Sequence, residues 1–141
     1  MRKVLVTGAT GYVGGRLVRV LLEQGFRVRV MVRDIRKLDQ HTWSSQVEVF
    51  VGNVNNYESN LKALEGVHTA FYLLHAIDSN TNFHKTETEM ANAFGRAAHD
   101  AKISQIIYLG GIANDTKKSR HLQSRSDTGK ELASHGVPVL E

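Results

Sequence analysis

The chain has 141 residues, 41% of them hydrophobic, enough for one domain with a real core and short for a two-domain enzyme. It has no cysteine, which excludes disulfides, thiolate nucleophiles and cysteine metal sites and fits a reducing, cytoplasmic location. The net charge is +4, and the basic excess lies in residues 1–70, with ten Lys/Arg against six Asp/Glu, while residues 71–141 balance at eight against eight.

Apolar runs of strand length at 3–7, 28–32, 47–51, 69–74, 105–109 and 137–140 alternate with stretches of helical period. The first run, Val4-Leu5-Val6, is too short for a signal-peptide core. The longest apolar stretch, "AFYLLHAI" at 70–77, has the length of a buried strand and falls far below the ~20 residues that a membrane helix needs. The reading is therefore of a chain without a membrane partner.

After the first strand come the glycines, and then a helix whose Val13, Leu17, Val20 and Leu21 make one apolar stripe, with Gly25 as its stop. "RVRVMVR" follows and alternates. Val28, Val30 and Val32 share one face and Arg27, Arg29 and Arg33 the other, which predicts a strand less enclosed than its neighbours. A loop leads to the third strand.

Residues 57–65 allow a short helix with Leu61 and Leu64 inward, stopped at Gly66. A longer helix over about 83–101 places Met90, Phe94, Ala97, Ala98 and Ala101 at helical spacing, with small residues suited to close packing on a sheet. The last helix spans about 119–135, before Gly136 and Pro138. This alternation predicts an α/β domain over residues 1–141: a three-layer, doubly wound parallel sheet of the Rossmann kind. The chain stops on "VPVLE", as its sixth strand begins, which reads as the amino-terminal piece of a longer sheet. An incomplete sheet edge also favours pairing with a second copy, as in a homodimer.

Strand, then Gly8-Ala9-Thr10-Gly11-Tyr12-Val13-Gly14, then helix is the context that a dinucleotide fingerprint requires. Gly8 permits the tight turn, Gly11 lets the backbone approach a pyrophosphate, and Gly14 lets the helix pack closely. Backbone amides from Thr10 through Tyr12 and Val13, with the positive end of the helix dipole, would hold the anion. The spacing is G-x-x-G-x-x-G, one residue longer at the start than the G-x-G-x-x-G form.

"VTGATGYVGGRLV" resembles the T-G-x-x-G-x-x-G signature of extended and atypical short-chain dehydrogenase/reductases. Together with "YLLHAI", "IIYLGGIA" and "HLQSRSDTGKELASHGVPV", it is most similar to the atypical branch that holds NmrA-like proteins and the bacterial predicted nucleoside-diphosphate-sugar epimerases of the YbjT type. The resemblance covers essentially the whole chain. It implies a nicotinamide dinucleotide cofactor, a small-molecule substrate, and more chain after the equivalent of "VPVLE".

In an NAD binder an acidic residue about 20 positions after the glycines takes the ribose 2′-hydroxyl, whereas arginine there suits the 2′-phosphate of NADP. Arg33 ends the second strand, 19 residues after Gly14, with Arg36 and Lys37 close behind. This favours NADP over NAD, although Asp34 would serve the hydroxyl if the register were one off. Arg33 also counts against an S-adenosylmethionine enzyme, which would place an acidic residue there.

Ligands of such sheets bind beyond the carboxyl ends of the strands. That selects Gly52-Asn53-Val54 after the third strand, Leu74-His75-Ala76 after the fourth, and Gly110-Gly111 after the fifth. Asn53 and Val54 resemble the family's adenine contact, with Asn53 where an aspartate is common. Leu74 and His75 would lie along the ribose and nicotinamide.

Short-chain reductases usually pair tyrosine and lysine as Tyr-x-x-x-Lys, the ammonium lowering the phenol pKa for proton exchange with the substrate oxygen. Tyr12, Tyr57, Tyr72 and Tyr108 are followed four residues on by Arg16, Leu61, Ala76 and Ile112. Where the pair should fall the sequence reads Ser126-Asp127-Thr128-Gly129-Lys130, so no catalytic residue is assigned. An enzyme of this kind would need another acid, such as His121 or a group beyond residue 141, and the alternative is a module that senses NADP(H) without turnover. The basic run "KKSRHLQSR" at 117–125 has no interleaved aromatics, which speaks against nucleic acid. The seven histidines form no i, i+4 pair that would share a metal.

Overall fold

The computed structural model describes residues 2–74, 83–109 and 120–141, with side chains in the last two helices from 86 and 127 onward. The elements run β1 (Lys3–Thr7), α1 (Tyr12–Glu23), β2 (Arg27–Val32), β3 (Glu48–Val51), α2 (Tyr57–Ala63), β4 (Thr69–Tyr72), α3 (Phe83–Asp100), β5 (Gln105–Tyr108), α4 (Arg120–Ala133) and β6 (Val139–Leu140). The loop expected between β2 and β3 carries two 3-10 turns, Ile35–Gln40 and Ser44–Gln46. All neighbouring strands pair in parallel in the order β3-β2-β1-β4-β5-β6, the doubly wound order expected. The order reverses at β1 and β4, so the crevice between their carboxyl ends is where a ligand is sought.

Side chains alternate across the sheet and divide the core in two. On one side Val4, Val6, Val28 and Val30 meet Val18 and Leu21 of α1, with Leu38 and Trp43 from the 3-10 segment. On the other, Leu5, Ala70, Tyr72 and Ile106 meet Leu64, Phe94, Ala97, Ala98 and Leu132. Leu64 is buried and Leu61 partly so, as expected for α2, and the α3 face read from its spacing is the packed one.

Two expectations hold only in part. The buried face of α1 is Gly14, Gly15, Val18 and Leu21, while Val13 and Val20 are 48% and 50% exposed. Gly14 abuts the backbone of the turn after β1, and this contact fixes the helix rotation: Gly14, Val18 and Leu21, at i, i+4 and i+7, face the sheet.

On the arginine face of β2 the expectation holds for Arg27 and Arg33, which are exposed, and fails at Arg29. Arg29 is 13% exposed; its Nη1 donates to Ala63 O (2.6 Å) and Glu65 O (2.9 Å), and its Nη2 to Glu48 Oε1 (3.3 Å). The guanidinium thus caps the carbonyl end of α2, where the helix dipole favours a cation. Arg29→Ala should lower unfolding stability by about 2 kcal/mol, the scale of hydrogen bonds to a charged group, whereas Arg27→Ala should change it by no more than about 0.5 kcal/mol. Arg27 is 60% exposed, with Glu48 at 3.9 Å. Urea titration of both variants checks this.

Candidate dinucleotide cleft

The turn after β1 begins at Gly8, whose φ of 78° is left-handed and favours glycine. Gly11 N donates to Gly8 O (3.1 Å) and closes the turn. A Cβ on Gly8 would lie 3.2 Å from the Leu73 carbonyl, and one on Gly14 would overlap Gly8 O and stand 2.8 Å from Gly8 C. Protein packing therefore demands glycine at both positions. At Gly11 it does not: a Cβ there would meet only Gly8 O, at an ordinary 3.4 Å. Its bareness leaves room on the outer side of the turn, where α1 begins.

The first amides of α1, at Tyr12, Val13 and Gly14, precede any helical acceptor, and the first turn holds no acidic side chain. An anion is what this end attracts.

A fourth glycine, Gly15, has a role that the spacing did not reveal. Trp43 Nε1 donates to Gly15 O (3.0 Å) in a buried bond, the His41 ring stacks on Trp43 at 4.6 Å, and a Cβ on Gly15 would lie 3.1 Å from His41 Cε1. These contacts pin the connection between β2 and β3 to the start of α1. Thr7 acts similarly on the other flank. Its Oγ1 donates to Phe71 O (3.1 Å) and accepts from Leu73 N (3.4 Å), tying the ends of β1 and β4 together.

Beyond these ends lies a cleft of about 370 Å³. It brings together Gly8, Thr10, Arg33, Asn53, Val54 and Leu74 from the sequence reading, with Asp34 and Lys37, also named there, beside Arg33. Met31 at its base and Thr86 and Met90 of α3 complete it. Gly11 and Tyr12 line a shallower neighbouring depression with Thr10, Arg16, His41 and Trp43. Val13 and Gly14 line neither; their place in the site is the backbone of the first turn of α1. His75, Gly110 and Gly111 lie outside the described residues.

Charge on the rim is arranged in a definite way. Asp34 Oδ1 accepts from Arg36 N (3.0 Å) and Nε (3.0 Å), and Oδ2 accepts from Arg36 Nη2 (2.9 Å). The Arg36 guanidinium holds the Asp34 carboxyl below the ordinary carboxylate range. Arg33 and Lys37 line the cleft, and neither side chain forms a hydrogen bond or ion pair with another described residue. Of the two residues read as candidates for the ribose, the acidic one is occupied and the basic one is available.

The opposite wall is a polar loop held from below. Asn53 N donates to Ser59 Oγ (3.1 Å), Asn56 Oδ1 caps α2 through Ser59 N (2.9 Å), and buried Asn60 Nδ2 donates to Val54 O (2.8 Å). Asn53 Oδ1 accepts from Asn55 N (2.9 Å), so its NH2 group is the end left for a ligand.

The tyrosines offer no substitute for the absent Tyr-x-x-x-Lys pair. Tyr72 and Tyr108 are buried at 1% exposure, and burial pushes the Tyr72 phenol above its usual value, away from neutral-pH proton exchange. Tyr57 donates to Asp100 on the surface, and Tyr12 lies 75% exposed beneath the Arg16 guanidinium. Lys130 is exposed and outside the cleft. The side chains of His121 and Ser126 lie outside the described residues. Among the described residues no cluster of three His, Asp or Glu side chains could hold a metal, and no helix is long and apolar enough to cross a membrane.

Comparison with known proteins agrees with this architecture. Over 125 residues the chain is 30% identical to the photosystem II assembly factor Ycf39 of Cyanophora paradoxa, covering 83% of this chain and 36% of that protein. The Citrobacter triphenylmethane reductase complexed with NADP(H) superposes with a TM-score of 0.79 at 25% identity, covering 96% of this chain and 47% of the reductase. The NADPH-dependent quinone oxidoreductase of Escherichia coli, complexed with NADPH, shares the fold at a TM-score of 0.81 and 20% identity, over 96% of this chain and 46% of its own. The chain thus spans less than half the length of each of these proteins. The model of the NmrA-like family matches residues 1–127, the span that holds the glycine turn, β1 to β5 and the residues lining the cleft, and the chain belongs to the NmrA-like family.

Proposed function

We propose that this chain is the NADP(H)-binding domain of an NmrA-like oxidoreductase or nucleotide-sugar-epimerase-like enzyme. The observation that carries the preference for NADP is the rim: Arg33 and Lys37 stand free in the cleft, while the Asp34 carboxylate is taken by Arg36. A guanidinium presents planar donors to phosphate oxygens, and the ammonium of Lys37 adds a second positive charge. The pyrophosphate would lie along Thr10 to Val13 at the start of α1, the adenine against Val54 with the Asn53 amide at its edge, and the nicotinamide half toward Leu74 and His75. The NADP(H) and NADPH complexes of the two reductases support the cofactor class.

A second reading has its own observation. No tyrosine is followed four residues on by lysine, and Lys130 lies outside the cleft, so a sensor that binds NADP(H) without turnover would need nothing more than these residues supply. The relative Ycf39, an assembly factor, is in keeping with that reading.

Calorimetric titration with NADPH and NADH tests the proposal. NADPH should bind, and more tightly than NADH; binding of neither overturns it. Loss of absorbance in the reduced-nicotinamide band with carbonyl and quinone substrates then separates the enzyme from the sensor.

A further inference from the structure

We propose that Arg36 is a positioning residue that sets cofactor selectivity without touching the cofactor: it holds both oxygens of the Asp34 carboxylate and so keeps a negative charge on the cleft rim from opposing a 2′-phosphate. The inference rests on the NADP(H) reading above. Asp34 lines the cleft beside Arg33 and Lys37, with its side chain 35% exposed. Arg36 does not line it, and its side chain is 85% exposed.

The geometry is local and over-determined. Asp34 caps the 3-10 turn of Ile35–Gln40 through Arg36 N, and the same residue's guanidinium closes on the carboxylate with two further bonds. Paired donors of this kind fix orientation as well as charge. The charged groups lining the cleft among the described residues are Arg33, Lys37 and Asp34. With Arg36 in place the rim has two free cations and a neutralised carboxylate. Without it, Asp34 keeps only its backbone bond, and Oδ2 is freed at the end of β2, the place from which an acidic residue serves the ribose hydroxyl of NAD. One substitution would then weaken NADPH and favour NADH together, which the loss of a simple phosphate contact does not do.

The experiment measures dissociation constants for NADPH and NADH with the full chain and with Arg36→Ala, Asp34→Asn and the double variant. For Arg36→Ala the selectivity for NADPH over NADH should fall about fivefold, in keeping with a paired but exposed charge. Adding Asp34→Asn should restore NADPH binding to within about twofold of the parent, because the charge that Arg36 neutralised is then gone. Arg36→Lys should fall between, keeping charge but losing the paired donors. An undiminished loss of NADPH in the double variant would mean that Arg36 acts on the phosphate itself. Equal weakening of both cofactors would reduce it to a part of the turn. Either result, or an unchanged ratio, overturns the inference while leaving NADP(H) binding intact. If the parent chain binds neither cofactor, the NADP(H) reading falls first and this one with it.

Discussion

Gly14→Ala should destabilise the protein by about 3 kcal/mol, at the upper end of the usual cost of overpacking. The added Cβ would overlap Gly8 O and stand 2.8 Å from Gly8 C and 2.9 Å from Ala9 Cα, all of it backbone. That turn cannot yield easily. It is closed by Gly11 N on Gly8 O, and Gly8 itself is crowded by the Leu73 carbonyl at 3.2 Å. The alternative is for α1 to lift from the sheet, which unpacks Val18 and Leu21, at 0% and 6% exposure, from the valines of β1 and β2. For a chain of this size the midpoint of thermal unfolding should drop by roughly 10 °C. Gly11→Ala makes the control: its Cβ has space, so the melting temperature should stay within about 2 °C of the parent while dinucleotide binding weakens. If Gly14→Ala melts with the parent, the close approach of α1 to the turn is not what holds the cradle.

The alternation of apolar runs with helical periods carried the fold, because a parallel sheet buried on both faces leaves that pattern along the chain. What it could not carry were contacts made by residues without an apolar side chain. Val13 and Val20 of the α1 stripe were misread because apolar spacing gives no weight to glycine, and here Gly14 and Gly15 share the docking surface with Val18 and Leu21. Arg29 was misread because the alternation of the β2 arginines suggests solvent, while its acceptors lie 34 and 36 residues on, at the end of α2. In the site, Arg33 was legible because it stands at a fixed offset from the glycines. The bond from Trp43 to Gly15 spans 28 residues and has no periodic signature. Thr86 and Met90 reach the cleft from α3, where helical spacing had placed Met90 in the core and gave Thr86 no role.

Arg33→Ala should weaken NADPH binding by about 1.5–3 kcal/mol, the scale of a hydrogen bond to a charged group, and leave NADH nearly unchanged. The difference arises because the two cofactors differ only at the 2′-phosphate, which is the group that a free guanidinium at the end of β2 would meet. Stability should stay within about 0.5 kcal/mol of the parent, since Arg33 is exposed and pairs with no described residue. The lost affinity can then be assigned to binding rather than folding. Salt supplies an independent check. Charge attraction to the phosphate is screened as ionic strength rises, so the NADPH dissociation constant of the parent should climb more steeply with salt than that of NADH. In Arg33→Ala this difference in slope should shrink, with Lys37 responsible for what remains, and Arg33→Ala/Lys37→Ala should bring the two slopes together. Equal losses for NADPH and NADH would remove Arg33 from the phosphate pocket, and parallel salt slopes in the parent would remove the pocket from this rim altogether.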